Sequence, residues 1–320
     1  DAADIDETNN LINFSFTYPT TNINGAYTAG TDPAIDDRIP KYQSNQDGDW
    51  SNPDIWTTLN GSGPCPPGGP YGADVIVDHD VTVDVNNIFA NSVTINDILR
   101  ISPSTAGHNF TLLLGNGTLY VESGNIPGGD YSTFTDCAGN STIEYGGNTD
   151  YTIVASLYDN IPNLIFSGTG TRYLPNKDIT VCKRLVIDGP TVDNSINNKD
   201  LYIKGTMERY GTGEFVSGTG TVIFNGTGIQ TIGGPLGDFS GSSSFYNFTV
   251  NNSSGLNIGT DGLVEISNVL NLTEGIINTS STGRLFISNT SPAAVNPSGG
   301  KATSYINGPL TKRIMNGASF

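Results

Sequence analysis

Apolar residues in this chain come in short runs that end quickly. Val93 and Ile95, Ile98 to Ile101, Leu112 to Leu114, and Leu119 with Val121 are typical, and similar runs follow at Leu185, Leu201, Leu263, Leu270 and Leu285. From Ile88 onward they recur about every 8–15 residues, separated by Asn-Gly, Ser-Gly, Gly-Gly and Asn-Asn. Each run is too short for a helix and is bounded by turn chemistry, which predicts short β-strands. Over 74–85 the pattern is clearest. Val75, Val77, His79, Val81, Val83 and Val85 share one face, and Asp78, Asp80, Thr82 and Asp84 the other. Either one strand or two strands meeting at an Asp-His-Asp corner would satisfy that alternation. Nearer the start, Phe14, Phe16 and Tyr18 alternate after Leu11 and Ile12, predicting one half-buried strand in an acidic, Asn/Thr/Pro-rich arm over residues 1–46.

One stretch is stated twice. Residues 139–153 resemble 218–232 at a shift of 79, matching Gly139 to Gly218, Thr142 to Thr221, Tyr145 to Phe224 and Ile153 to Ile232. The echo continues so that 139–187 resembles 218–272, with Ile179, Val181, Leu185 and Ile187 falling on Val264, Ile266, Leu270 and Leu272 at a shift of 85. Internal repetition of this length marks an architecture in which each unit covers the apolar face of the next. Strands of three to five residues are short for tandem β-sandwich domains, the alternative, and suit stacked coils. The expected fold is all-β: a right-handed parallel β-helix over 47–320 with an extended N-terminal arm. Coils of roughly 20–25 residues would place three or four in the 79-residue unit, and rungs about 4.8 Å apart would make a rod of about 50–60 Å. Val222 and Phe224 should then be interior, as Ile143 and Tyr145 are.

Composition supports the class and excludes some functions. The 320 residues include 40 Gly and 17 Pro, and the formal charge is −17. That charge argues against nucleic acid, whose phosphates require a basic surface. No apolar run approaches membrane-spanning length. Cys65, Cys137 and Cys182 show no paired spacing that suggests zinc, and their disulfide pairing is open.

Candidate chemistry is sparse. Asp78, Asp80 and Asp84 are the one tight carboxylate cluster in a strand, with no Arg or Lys nearby in sequence, so a polysaccharide-cleaving role is the alternative rather than the main reading. Asp47, Asp49, Asn52 and Asp54 offer oxygen donors around Gly48, a set suited to structural calcium. His79 reads as a corner residue. The Gly-Thr-Gly-Thr runs at 168 and 218 lack the helix and Lys of a nucleotide loop and read as corners. Trp50 and Trp56 flank a Ser-Asn-Pro-Asp turn where the helix would begin, and should cover the end of its core rather than stack on sugars.

Trp50-Ser-Asn-Pro-Asp-Ile-Trp56, the 74–84 strand pattern, the Gly-x-Gly-Thr…Asn-Gly…Gln-Thr-Ile repeat and Tyr305-Ile-Asn-Gly-Pro-Leu-Thr-Lys312 together resemble β-helical modules of large surface adhesins. Gliding bacteria export these proteins through the type IX secretion system. The resemblance implies a secreted, cell-surface location and a non-catalytic structural or adhesive role in attachment or gliding motility. Implied partners are surface glycans, other cell-surface proteins and further domains of the same polypeptide. The family's C-terminal sorting domain is not among these residues, and 317–320 suggests no cap, so the helix is expected to continue beyond residue 320. A glycan-binding module is a further alternative.

Overall fold

Three ladders of parallel strands wrap one apolar interior. The computed structural model describes the backbone of residues 4–6, 11–18 and 21–28, and describes 39–60, 64–124, 126–154, 160–233, 238–297 and 300–315 in full. The chain winds through about 11 turns of a β-solenoid, and among the described residues the only helical segments are 3-10 turns. At about 4.8 Å per rung, eleven turns make a rod on the order of 50 Å.

The chain visits the faces in a fixed order. Face A begins with Lys41–Ser44 and Asp74–Val77, continues through parts of Phe89–Ile95 and Asn109–Gly115, and resumes at Ile161. Its later rungs are Leu201–Ile203, Thr221–Phe224, Phe245–Asn251 and Val295–Asn296. Face B stacks Val81–Val83, Ile98–Ile101, Thr118–Val121 and Thr142–Tyr145, then residues 163–167 and 184–188, Thr206–Tyr210 and Gln230–Ile232. Face C stacks Tyr151–Thr152, Thr171–Tyr173, Thr191–Asp193 and Glu214–Val216, and later Val264 on Leu285 on Leu310.

Alternation explains the packing. Thr142–Tyr145 and Thr221–Phe224 each bury their second and fourth residues, so Ile143, Tyr145, Val222 and Phe224 are all interior as expected. Tyr145 stacks on Phe166 at 6.0 Å and Phe224 on Phe248 at 5.2 Å between ring centroids. Corners are set by backbone needs. Gly147, Gly168 and Gly189 stack 21 residues apart with φ of +81°, +82° and +105°. A Cβ on Gly168 would lie 2.0 Å from the Gly147 carbonyl oxygen, so only glycine fits. Within successive strands, asparagine side chains bond one another along the axis. Asn278 Nδ2 donates to Asn257 Oδ1 at 2.9 Å, and Asn307 Nδ2 to Asn278 Oδ1 at 3.0 Å.

The echo is not in phase with the turns. Ile143 stacks on Leu164, then Leu185, Met207 and Ile232, all on face B, whereas its echo partner Val222 lies on face A. The same rotation holds throughout. Residues 163–166 on face B match 247–250 on face A, and Ile179 on face A matches Val264 on face C. A shift of 79 therefore equals three turns and two faces. The three faces ask for the same alternation of side chains, so one sequence pattern serves any of them.

The N-terminal boundary also differs from expectation. Lys41–Ser44 already pairs in parallel with Asp74–Val77, so the solenoid starts near residue 41 and not at 47. Trp56–Asn60 pairs antiparallel with Lys41–Ser44 and covers the outer edge of face A. The arm holds three strands rather than one: Asp4–Asp6, Leu11–Tyr18 and Thr21–Thr28 form an antiparallel sheet. The two extra strands carry little apolar alternation, and pairing with the patterned one completes them.

Candidate functional site

The carboxylates of the 74–85 segment staple one turn to the next. The chain breaks this segment into Asp74–Val77 and Val81–Val83, with Asp78, His79 and Asp80 at the corner. Val75, Val77, Val81 and Val83 are buried. Asp78 accepts from Gln43 Nε2 and, at 2.6 Å, from Asn96 Nδ2. Asp80 receives Arg100 Nε and Nη2, each at 2.8 Å. Asp84 accepts from the Ser51 backbone N–H at 2.9 Å and from its hydroxyl at 2.5 Å. The cation that sequence proximity did not supply comes from the rung above, where Arg100 pairs with Thr82. His79 is a corner residue, its Nδ1 3.0 Å from the Ser44 carbonyl oxygen.

Two of the four candidate calcium ligands, Asp47 and Asn52, use their side chains to bond backbone N–H groups. Asp47 Oδ1 accepts from the Asp80 backbone N–H at 3.0 Å. Asn52 caps the 3-10 turn Pro53–Ile55 by accepting from Asp54 N–H, also at 3.0 Å. No group of three or more His, Cys, Asp or Glu suited to an ion occurs among the described residues. Trp50 and Trp56 are buried, with centroids 5.1 Å apart. Their indole N–H groups bond the carbonyl oxygens of Pro70 and Trp50. Neither ring offers a face to a sugar.

Sequence reading missed an outward stripe of charge on face B. Above the Asp80–Arg100 pair, the Arg100 guanidinium lies 4.6 Å over the Tyr120 ring, and the Tyr120 hydroxyl donates to Glu122 Oε1 at 3.1 Å. Further along, Glu144 accepts from Ser167 Oγ at 2.5 Å, and Glu208 from Arg184 Nη2 at 2.7 Å. Burial alone would raise the Glu208 carboxyl, but the bonds from Arg184 and Tyr210 hold it below its ordinary value. These groups lie roughly one turn apart in sequence, where no short motif would connect them.

Two internal features complete the picture. Arg172 is fully buried, and its N–H groups bond the carbonyl oxygens of Gly146, Gly147, Thr149, Ser167 and Thr169 at 2.7–2.9 Å. Cys137 and Cys182 form a disulfide, which settles the pairing, and Cys65 is a buried free thiol. Beside the disulfide, a cleft of about 610 Å³ is lined by Asp130, Ser132, Asp136, Lys177 and Lys204, among others.

The fold defines a parallel β-solenoid. No family profile, no curated protein and no solved structure matches the chain. Among the described residues, no helix is long and apolar enough to cross a membrane.

Proposed function

We propose that this chain is a non-catalytic structural and adhesive segment of an exported cell-surface protein, serving attachment or gliding. The observation that carries the reading is the use made of the carboxylates: Asp78, Asp80 and Asp84 each bind side chains of neighbouring turns. A catalytic acid or base must instead present its proton site to a substrate. The Cys137–Cys182 disulfide supports an oxidising compartment outside the cytosol. The type IX route rests on the sequence resemblance. In the test, purified protein is incubated with pectate, alginate, xylan, cellulose and chitin. Retention on at least one polysaccharide, without new reducing ends or unsaturated products, is the expected result. Product formation that Asp80→Asn abolishes would overturn it.

A further inference from the structure

The cleft beside the disulfide is built from segments far apart in sequence. Between Thr118–Val121 and Thr142–Tyr145 on face B, Gly128–Asp130 pairs in parallel with Asn109–Gly115, and residues 131–141 then make an excursion before the chain rejoins face B. Several contacts hold this excursion. Cys137 is bonded to Cys182, Lys183 Nζ donates to Asn140 Oδ1 at 2.6 Å, and the Tyr131 hydroxyl donates to the Pro127 carbonyl at 2.7 Å. The opposite wall carries Lys177 and Lys204 from successive turns. Lys204 follows Ile203, which pairs with Val181, so it stands one rung above Cys182.

The lining balances in charge. Lys177 and Lys204 face a wall bearing Asp130 and Asp136, with the Ser132 hydroxyl between the two carboxylates in sequence. The backbone N–H of Ser132 bonds Asp130 at 2.8 Å and that of Ala138 bonds Asp136 at 3.0 Å, leaving further carboxylate lone pairs to accept. The N–H bond to Ser132 also holds Asp130 below its ordinary value, so it is ionised at neutral pH. An apolar ligand would strip water from these charges without replacing its bonds. A polyanion would meet two carboxylates here and a chain of net charge −17. A hydroxyl both donates and accepts, so a row of them can satisfy ammonium and carboxylate together. The volume falls within the range of about 300–1,000 Å³ usual for ligand sites.

We propose that this cleft binds a neutral oligosaccharide, with Lys177 and Lys204 donating to ligand oxygens and Asp130 and Asp136 accepting from ligand hydroxyls. The proposal deepens the adhesive reading and rests on it. The test is calorimetric titration with cellotetraose, maltotetraose and mannotetraose, and with tetragalacturonate as the charged counterpart. Wild type is compared with Lys204→Ala and Asp136→Asn, the latter keeping a carbonyl oxygen for the Ala138 N–H. At least one neutral tetrasaccharide should bind wild type, and each variant should weaken it about tenfold or more, with melting midpoints unchanged. Absence of neutral-sugar binding up to about 10 mM ligand, or stronger binding of tetragalacturonate than of any neutral sugar, overturns the proposal. Binding that neither variant weakens removes the cleft from the account while leaving the adhesive reading standing. Cleavage of a tetrasaccharide by wild type removes that reading as well.

Discussion

The Arg172 guanidinium lies 4.5 Å over the ring of Tyr151, and main-chain carbonyls of two neighbouring corners surround it. A buried cation is stable here because each carbonyl dipole points at it, and because removing it would take a charged donor from each of those oxygens. Arg172→Met should lower unfolding free energy by about 3–5 kcal/mol, and Arg172→Lys should recover only part, since an ammonium has three donors in a different geometry. Urea unfolding of both variants checks this, and equal stability of the two would contradict it.

Phe224 offers a plainer test of the ladder. Its ring is buried and rests on Phe248. Phe224→Ala should cost about 3–5 kcal/mol and Phe224→Leu much less, because leucine refills most of the space. A loss below about 1 kcal/mol for the alanine variant would mean that the interior is looser than its packing implies.

Alkaline pH should act through Cys65. Burial pushes its thiol up to about 11 from an ordinary 9.0. The unfolded thiol ionises first, so the contribution is fully present below pH 9 and is lost as pH rises towards 11. The difference in stability between wild type and Cys65→Val should narrow over that range in denaturant titrations. The native thiol should also resist alkylation at neutral pH.

Acid should act through His108. The ring is buried against Phe110, its Nε2 is 3.1 Å from Thr105 Oγ1, and burial lowers its pKa. The unfolded chain takes up the proton first, so stability present above about pH 6.5 falls as pH drops below it. His108→Leu should remove this component from the pH dependence of the melting midpoint. An identical acid slope in the variant would place the loss elsewhere.

Much of the fold was legible because a coil strand needs only three or four residues. Val75, Val77, Val81 and Val83 announce an interior, Gly168 a corner, and Trp50 with Trp56 a covered end. The partners across rungs were not legible, because the loops make the turns unequal. Gly48 to Val81 is 33 residues, whereas Val81 to Leu99 is 18. With so variable a step, neither the Asp80–Arg100 pair nor the choice of Cys182 for Cys137 can be found by counting. The echo misleads for a related reason: it reports strand grammar, which all three faces share, and not the number of turns. Residues 128–137 carry no motif that marks a site in sequence, and only the winding brings them beside Lys177 and Lys204.

The disulfide has a mechanical consequence. It joins residues 45 apart, across two turns of the winding. A tether pulled at its ends would pay out coils from each side, but the loop between Cys137 and Cys182 could not lengthen while the bond holds. At about 3.4 Å per extended residue, roughly 150 Å of contour is withheld from the load. Tension would bypass that loop through a covalent link and leave the wall of the cleft anchored while the flanking coils unravel.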